Sequence, residues 1–240
     1  MTISVLMYHQ IGHFPPMKTH RSTYCNANRF KWQMWFLHFF RYTILSLNDL
    51  LPVLTGQKPT PLRGVILTFD DGYCNFYSHA YPILQKYRFP ATVYVLSSLM
   101  GKRAIWFERD GRDAPPLLDK KQIQSLSLKG INIGSHGKTH VRLGELPPEK
   151  AWEEIAGSKK RLEKELGIPM RDFCYPYGSM NQQVRDMVEK AGYRTAVSCI
   201  RGAVRPGCDP YILPRKAISY GDNIIGMWWK LHFKNKPKYK

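Results

Sequence analysis

The sequence predicts an α/β protein with a largely parallel sheet of about seven strands, either closed as a barrel or open and wide. Short β-branched apolar runs recur along the chain, and patterns typical of helices lie between them, which is the alternation of β/α units. The chain has 240 residues and no internal repeat, low-complexity tract or linker, so we expect a single domain over residues 1–240.

The predicted elements alternate along nearly the whole chain. Strands are expected at 3–8, 65–69, 91–96, 131–134, 173–175, 195–199 and, more weakly patterned, 217–219. Helices are expected at 29–40, 47–54, 77–87, 120–128, 148–166 and 180–191. The fifth helix has the clearest pattern, because Pro148 suits a helix start and Gly167 with Pro169 ends it. Two stretches, 12–27 and 100–116, are interpreted as long loops.

The charge balance is strongly basic, with 36 Lys and Arg against 18 Asp and Glu and a net charge of +18. Such a charge bears on partners and solubility rather than on fold. It is compatible with nucleic acid, an anionic membrane or an acidic polymer. The chain contains no helix-turn-helix, zinc-finger or aromatic RNA-binding motif, so we expect no specific nucleic-acid partner. The pattern carries no prediction of oligomeric state.

Two features bear on the compartment. The opening residues, MTISVLMYHQIGHF, have no charged start, long apolar stretch or small-residue cleavage site, and we interpret them as the first strand. The five cysteines have no paired spacing, which disfavours a disulfide framework or a cysteine-based zinc module. We therefore expect a cytoplasmic protein.

The C-terminal segment 224–240 combines apolar residues, two adjacent tryptophans and five lysines. Two interpretations stay open. The favoured one is a helix that closes the barrel, followed by a basic tail at about 234–240. The other is a segment that lies on the inner face of an anionic membrane, with tryptophan at the level of the headgroups.

The sharpest motif is Val65-Ile-Leu-Thr-Phe-Asp-Asp-Gly72, an apolar strand that ends in two carboxylates and a glycine. It places Asp70 and Asp71 at the carboxyl end of a strand, where β/α barrels carry their active sites. An Asp-Gly turn is the alternative interpretation. Two adjacent like charges are costly unless a cation or a proton separates their roles, so we expect one carboxylate to bind a metal and the other to accept a proton.

A second motif, Ile131-Asn-Ile-Gly-Ser-His-Gly-Lys-Thr-His140, is again a strand that runs into a loop. A spacing of four residues points the imidazoles of His136 and His140 the same way over one helical turn. A chance pair is the alternative, because the chain has eight histidines. Both motifs follow strands and would converge on one mouth, where two histidines and one carboxylate suit zinc in a hydrolase or iron(II) in an oxygenase.

A third motif, Phe173-Cys-Tyr-Pro-Tyr-Gly178, also follows a predicted strand. It is interpreted either as a proline turn with aromatic packing or, beside a metal, as a kinked backbone whose N–H meets a developing oxyanion. Trp106 lies in the second long loop with two apolar neighbours. It would either contact a substrate sugar ring or cover the core locally.

Three of these segments, in this order, resemble the first three motifs of the polysaccharide deacetylases, the NodB-type domain of carbohydrate esterase family four. They are Thr68-Phe-Asp-Asp-Gly72, Ser135-His-Gly-Lys-Thr-His140 and Tyr175-Pro-Tyr-Gly178. The resemblance implies a distorted (β/α) barrel of about seven strands. It also implies a hydrolase that uses a divalent metal to remove N-acetyl groups from amino sugars of a polysaccharide, oligosaccharide or lipid-linked glycan.

The resemblance also implies roles for individual residues. Asp71, His136 and His140 would hold the metal, Asp70 would be the general base, and the backbone N–H of Tyr177 would bind the oxyanion. We expect zinc, although cobalt, nickel and manganese accept the same ligands.

The later motifs depart from the usual pattern of the family. Cys174 stands where an arginine usually orients the base, and the usual fourth and fifth motifs are not visible. The segments Ile212-Leu-Pro-Arg215 and Val5-Leu-Met-Tyr-His9 instead resemble the exopolysaccharide-modifying branch. We therefore expect His9 to be the general acid and Arg215 to orient Asp70. The alternatives are a supporting role for His9 at the barrel mouth and a surface or loop charge for Arg215.

Two other functions stay open. An iron(II) oxygenase would use the same two histidines and one carboxylate, but it predicts a double-stranded β-helix rather than β/α units. A catalytically impaired carbohydrate-binding domain of the same fold is the second, because the later motifs are altered.

Overall fold

Seven parallel strands close into a barrel. We describe residues 1–238, without the side chains of residues 109 and 110, from a computed structural model. The strands are β1 (Ile3–Tyr8), β2 (Gln10–Gly12), β3 (Tyr24–Asn26), β4 (Thr43–Leu45), β5 (Gly64–Phe69), β6 (Thr92–Val95), β7 (Asn132–Ser135), β8 (Asp172–Cys174), β9 (Thr195–Arg201) and β10 (Leu213–Ala217). The order around the barrel is β1, β10, β9, β8, β7, β6 and β5, and β5 pairs again with β1. This confirms the predicted barrel and excludes the double-stranded β-helix of an oxygenase.

Two strands share one edge of β5. β4 pairs with its first half, from Thr43 opposite Gly64 to Leu45 opposite Ile66. β6 pairs with its second half, beginning with Thr92 opposite Thr68. The barrel is therefore distorted on this side, because β5 and β6 meet only toward the end of β5 that leads into Asp70.

The helices lie close to the positions that the sequence predicts. They are α1 (Ala27–Phe39), α2 (Leu47–Leu54), α3 (Tyr81–Tyr87), α4 (Lys120–Leu128), α5 (Pro148–Trp152), α6 (Ser158–Leu166), α7 (Gln182–Lys190) and α8 (Ile224–Phe233). Wide π-helical turns precede α3 and join α5 to α6. The second of these turns, Glu153–Gly157, faces the loop between the two predicted histidine ligands.

Side chains of the barrel strands alternate between two apolar cores. Ile66, Tyr94 and Cys174 belong to the cluster inside the barrel, whereas Leu67 and Phe69 pack with the surrounding helices. Since successive strand residues point to opposite faces, the alternation that turns Ile66 inward also turns Thr68 and Asp70 inward. The period of β5 thus delivers its first carboxylate to the barrel interior.

The last barrel strand begins earlier than the sequence predicts. β10 spans Leu213–Ala217, whereas the expected strand was 217–219. Pro214 lies at an irregularity in the pairing with β9, a position where a strand tolerates proline. Arg215 and Lys216 resemble loop residues in the sequence, yet both are buried, and Lys216 Nζ donates three hydrogen bonds. Their burial is possible because the fold supplies acceptors that a sequence pattern cannot show.

The stretch 12–27 and the C-terminal segment are more ordered than the sequence pattern predicts. A small parallel sheet joins the two ends of the stretch for which the sequence predicts a loop: β2 ends where that stretch begins, β3 lies near its end, and Ile11 is opposite Cys25. At the C-terminus α8 packs against α1, and the chain returns to the barrel, where Lys238 N donates to the Arg201 carbonyl oxygen at 2.8 Å. Residues 239–240 of the expected tail lie outside the described residues. Among the described helices, none combines the length and the apolar character needed to cross a membrane.

Candidate active site

The carboxyl ends of the barrel strands surround a cavity of about 510 Å³. Most of the site residues predicted from the sequence line it, namely His9, Asp70, Asp71, Trp106, His136, His140 and Tyr177. Arg215 lies beneath the cavity and is almost completely buried. The parallel barrel explains this convergence, because all its strands end at the same mouth.

The two adjacent carboxylates point in different directions. Asp70 N continues the ladder with β1 by donating to the Tyr8 carbonyl oxygen at 2.9 Å. Asp71 and Gly72 then both adopt left-handed backbone conformations, with φ of 72° and 69°. A side chain at Gly72 would press on Val95 in the next strand, so glycine suits the turn sterically as well. This reversal separates the Asp71 carboxylate from that of Asp70.

Asp71 faces the two histidines of the second motif. Its Oδ1 atom lies 3.1 Å from His136 Nε2 and 3.2 Å from His140 Nε2, and all three side chains are buried. His136 Nδ1 lies 2.8 Å from the Cys174 carbonyl oxygen. Because a carbonyl only accepts, Nδ1 carries a proton, and in the neutral ring the Nε2 lone pair is directed at Asp71.

Aromatic rings hold the second histidine. The His140 ring lies 4.0 Å from the Trp106 ring and 4.5 Å from the Tyr177 ring, measured between centroids. Trp106 is 9% exposed, so most of its surface packs against protein, although an edge lines the cavity. Contact between Trp106 and a sugar stays a prediction, while its packing against His140 is a feature of the fold.

Glu154, which the sequence analysis did not single out, fixes the loop between the two histidines. Its carboxylate accepts hydrogen bonds from Lys138 N at 2.7 Å, Thr139 N at 3.0 Å and Thr139 Oγ1 at 2.6 Å. Glu154 belongs to the π-helical turn between α5 and α6, and such turns recur at functional sites. The contact spans only 15 or 16 residues, but nothing in the sequence predicts it, because a helical glutamate resembles any exposed acid until the turn faces the loop.

Asp70 is held by Arg215. Two parallel hydrogen bonds of 2.7 Å join Nη1 to Oδ1 and Nη2 to Oδ2. The guanidinium also donates to the Ser198 carbonyl oxygen at 2.9 Å, Thr68 Oγ1 at 3.1 Å and Cys174 Sγ at 3.3 Å. The small side chain of Cys174 leaves room for the arginine. Thr68 was missed as a site residue, although its place two residues before Asp70 on an alternating strand was a signal.

The charged groups of the site lower the pKa of both carboxyl groups, Asp70 and Asp71. Burial by itself raises the pKa of Asp70, but the Arg215 guanidinium brings that pKa below its ordinary value. Burial likewise opposes ionisation of Asp71, yet the neighbouring imidazoles hold its pKa well below the usual range. Burial lowers the pKa of His140, whereas Asp71 overcomes burial at His136 and raises the pKa there. Both carboxylates are therefore ionised at neutral pH.

His9 and Tyr177 lie on the walls of the cavity. His9 Nε2 is 3.9 Å from Asp70 Oδ2, and the His9 side chain is partly exposed to the cavity. Tyr177 has a left-handed backbone conformation, with φ of 58°, which is uncommon for a residue other than glycine. Gly178 follows with φ of 68° and lies against Cys199, where a side chain at Gly178 would clash. The third motif is thus a strained, tightly packed turn at the cavity edge.

The residues present fit a divalent metal at Asp71. The ligand atoms of Asp71, His136 and His140 all lie within 4.8 Å of one another. Within the described part of the chain, buried Asp71 Oδ1 accepts no hydrogen bond of regular geometry, although two imidazole nitrogens face it. One carboxylate oxygen facing two imidazole nitrogens is a common donor set for zinc and similar ions.

A second group of potential ligands fits a metal less well. Atoms of Asp70, His136 and Cys174 also lie within 4.8 Å of one another. Arg215 donates to both oxygens of Asp70 and to Cys174 Sγ, so its positive charge occupies the place that a cation would take. The electrostatics therefore favour the group that contains Asp71.

Two arginines at the cavity wall belong to none of the sequence motifs. Arg112 lies over the Phe107 ring at 4.0 Å and Arg142 over the Tyr177 ring at 4.6 Å, and both line the cavity. Sequence reasoning missed them because an isolated arginine in a loop resembles any surface charge.

Comparisons with known proteins agree with this geometry. A model of the family described as polysaccharide deacetylase matches residues 57–196. The putative polysaccharide deacetylase YxkH of Bacillus subtilis is 29% identical over 219 residues, which cover 91% of this chain and 72% of that protein. The poly-beta-1,6-N-acetyl-D-glucosamine N-deacetylase of Staphylococcus aureus strain COL is 25% identical over 224 residues, covering 88% and 73%.

Solved structures share the fold over nearly the whole chain. The deacetylase PplD of Streptococcus pyogenes, solved in complex with acetate, has a TM-score of 0.83 and 26% identity, covering 97% of this chain and 99% of that one. IcaB of Ammonifex degensii shares the fold with a TM-score of 0.81 at 21% identity, covering 96% and 97%. The family model spans both carboxylates and both histidines of the site. The protein belongs to the polysaccharide deacetylase family, and its class is that of hydrolases acting on carbon–nitrogen bonds other than peptide bonds.

Proposed function

We propose that this protein removes N-acetyl groups from a glycan built of N-acetylated amino sugars, with a divalent metal held by Asp71, His136 and His140. One observation carries the proposal: two consecutive carboxylates at the end of β5 are separated into different environments. Asp71 faces two imidazoles, and Asp70 is bound by a guanidinium. This division matches a reaction that needs a Lewis acid beside a proton acceptor.

The metal, for which we propose zinc, would supply a Lewis acid that polarises the amide carbonyl and lowers the pKa of water. The residues around it serve to present their ligand atoms correctly. The Cys174 carbonyl fixes the ring proton of His136, and Trp106 packs on the ring of His140. Such surrounding contacts orient ligands and tune their affinity.

Asp70 is proposed to accept the proton of the attacking water. Arg215 occupies one side of both carboxylate oxygens, which fixes the plane of the carboxylate and leaves its remaining lone pairs for a water in the cavity. The lowered pKa of Asp70 keeps it ionised, and therefore able to accept a proton, throughout the neutral range. Arg215 acts through Asp70 and is thus a positioning residue.

His9 and Tyr177 are proposed to complete the reaction. When the carbon–nitrogen bond breaks, the departing nitrogen takes a proton from the imidazolium of His9, and the products are acetate and the free amine. The distance of 3.9 Å between His9 Nε2 and Asp70 Oδ2 supports a pairing of the two groups as proposed acid and proposed base. The backbone N–H of Tyr177, at the turn beside His140, would donate to the developing oxyanion.

The substrate is a carbohydrate, and we propose a polymer or oligomer of N-acetylglucosamine. The staphylococcal relative is named for poly-beta-1,6-N-acetyl-D-glucosamine, which makes β-1,6-linked oligomers the first substrate to test. Oligomers with β-1,4 links and a panel of other N-acetylated sugars would define the preference. An open cavity of about 510 Å³ accommodates a sugar residue with its neighbours extending outward.

The decisive experiment measures the release of amine and acetate from such oligomers. We expect activity in the zinc-loaded protein, loss with a chelator, and recovery when zinc, cobalt, nickel or manganese is restored. Asp70→Asn should lower the rate about 10²- to 10⁴-fold because it removes the proton acceptor but keeps the shape of the side chain.

A matched control is Asp186→Asn, which makes the same change on the exposed surface of α7. It should leave the rate unchanged. No release from any amide or ester substrate in the metal-restored protein would contradict the proposal and favour a carbohydrate-binding function for the fold.

A further inference from the structure

Helices α1 and α8 together present a large aromatic surface on the flank of the barrel. The exposed large side chains on this surface are 40% to 72% exposed, and they are Trp32, Phe39, Phe40, Ile225, Trp228, Trp229 and Phe233. α1 also buries Phe30, Met34 and Leu37 against the core. A helix that is apolar on both its inner and outer faces is expected to contact something on both.

Ring contacts connect the side chains of this surface, in part through Phe36, which is itself buried. Ring contacts with centroid distances of 5.0–5.6 Å link Trp32 to Trp35 and Trp35 to Phe39, and further contacts continue through Phe40 and Phe36 to Tyr42. The Tyr42 hydroxyl lies 3.1 Å from His232 Nε2, which joins the ends of the two helices.

On α8 the contacts continue from His232 to Trp228, Phe233 and Trp229. The unbroken series of rings distinguishes this surface from scattered exposed residues, which need no explanation. We call it the α1/α8 aromatic surface.

The charge around the surface is predominantly positive, because the acid nearest to α8, Asp222, is largely buried and pairs with Lys230. Residues 27–48 and 223–240 contain no aspartate or glutamate, whereas basic residues are frequent, including Lys31, Arg41, Lys234, Lys236 and Lys238. Tryptophan and tyrosine favour the interface between lipid headgroups and acyl chains, and lysine and arginine beside them are attracted to anionic headgroups. A second copy of this chain would bring the same positive charge to the contact and be repelled.

We propose that the α1/α8 aromatic surface docks the protein on an anionic lipid membrane. The aromatic side chains enter the headgroup region, and the surrounding lysines and arginines lie among the phosphates. The sequence by itself pointed only to the C-terminal segment, because the contribution of α1 depends on its packing beside α8.

Docking on this flank leaves the cavity open. Some of residues 20–23 line the cavity, and the chain passes from them through β3 into the start of α1. Helix α8 begins after the loop that follows the carboxyl end of β10. Both helices run away from the mouth, and the Tyr42–His232 contact joins their far ends. The docked protein thus lies on its side, with its mouth beside the membrane rather than pressed against it.

The test uses the full chain and two kinds of vesicle, phosphatidylcholine alone and phosphatidylcholine with phosphatidylglycerol. We expect flotation with the anionic vesicles and quenching of tryptophan fluorescence by brominated lipid, since four of the six tryptophans lie on the surface. Trp229→Ser combined with Phe233→Ser should reduce binding roughly tenfold or more, because apolar area in the interface sets much of the affinity.

Leu128→Ser is the matched control, since Leu128 is the most exposed large apolar side chain among the described residues but lies on α4. It should bind like the unchanged protein, and all variants should keep the same melting curve. Three outcomes would overturn the proposal: no binding to anionic vesicles at low salt, binding that the double variant retains, or a concentration-dependent dimer that the double variant abolishes.

Discussion

Arg215 in the last barrel strand donates two parallel hydrogen bonds of 2.7 Å to Asp70, which lies 145 residues earlier in the chain. Both side chains are buried, so the pair forms a charged link across the inside of the barrel. In the closed barrel, β1 pairs with β10 on one side and with β5 on the other. Barrel closure therefore brings the strand that carries Arg215 close to the strand that leads into Asp70. The link both supports the fold and sets the charge of the proposed base.

Arg215→Met is expected to remove most activity and to shift the acid limb of the pH–rate profile to higher pH. With Arg215 present, the pKa of Asp70 in the folded protein lies below its unfolded value of about 3.9. The ion pair therefore stabilises the fold fully above the unfolded pKa. This stabilisation is lost as the pH falls through the folded pKa. Without the guanidinium, burial raises the pKa instead. Breaking the buried pair should cost about 3–5 kcal/mol, measured by denaturant unfolding.

Arg215→Lys is the informative companion to that variant. It keeps the positive charge but lacks the planar fork, so we expect a smaller shift of the acid limb and an intermediate rate. Near-normal turnover and an unmoved acid limb in Arg215→Met would remove the positioning role.

His9→Ala tests the proposed acid by comparing two leaving groups. Release of an amine needs a proton, whereas the aryl oxide of an activated aryl acetate departs as the anion without one. We expect amide hydrolysis to fall about 10²- to 10⁴-fold and aryl ester hydrolysis to fall much less. His13→Ala, an exposed histidine nearby in the sequence, should change neither rate. An equal loss on both substrates would assign His9 to support of the barrel mouth.

Glu154→Gln is expected to weaken metal binding by about 10- to 100-fold, as changes behind metal ligands commonly do. Glu154 Oε2 accepts two backbone N–H groups of the loop between His136 and His140, and Oε1 accepts the Thr139 hydroxyl. A glutamine has one acceptor oxygen and one NH2 donor, so it cannot accept hydrogen bonds on both sides, and it also lacks the negative charge. Competition with a chromogenic chelator measures the affinity directly, without reference to turnover.

The neighbouring variant Glu153→Gln provides a control for charge. Glu153 is exposed and pairs only with the side chain of Lys138 among the described contacts, so its loss should leave the metal affinity within a factor of about two. Equal affinities in both variants would contradict a positioning role for Glu154.

Gly178→Ala tests the turn that presents Tyr177. Gly178 has φ of 68°, and a Cβ atom there would lie 2.6 Å from the Cβ atom of Cys199. Gly207 also has a positive φ, of 79°, but a Cβ atom there meets nothing within 4 Å. We expect Gly207→Ala to cost about 1 kcal/mol for backbone strain alone, and Gly178→Ala to cost about 1–3 kcal/mol more and to reduce turnover. Similar costs in the two variants would show that the contact with Cys199 relaxes.

Much of the site could be predicted because its residues occupy strand ends. The run before Asp70 has the apolar pattern of a buried strand, and the same holds for the run before His136. In a parallel barrel all such ends meet at one mouth, so separate motifs converge without any knowledge of the contacts. The sequence by itself therefore determined the fold class and most of the proposed site residues, although other residues that line the cavity carried no signal.

The tertiary structure decided which of those residues interact. Arg215 resembles a loop charge until barrel closure places it against Asp70, and Glu154 resembles an outer helical acid until its turn meets the loop at Thr139. The α1/α8 aromatic surface likewise exists only because two helices from opposite ends of the chain are neighbours. Periodicity reports which face of an element is apolar, whereas the pairing of buried charges depends on register and closure, which no local pattern encodes.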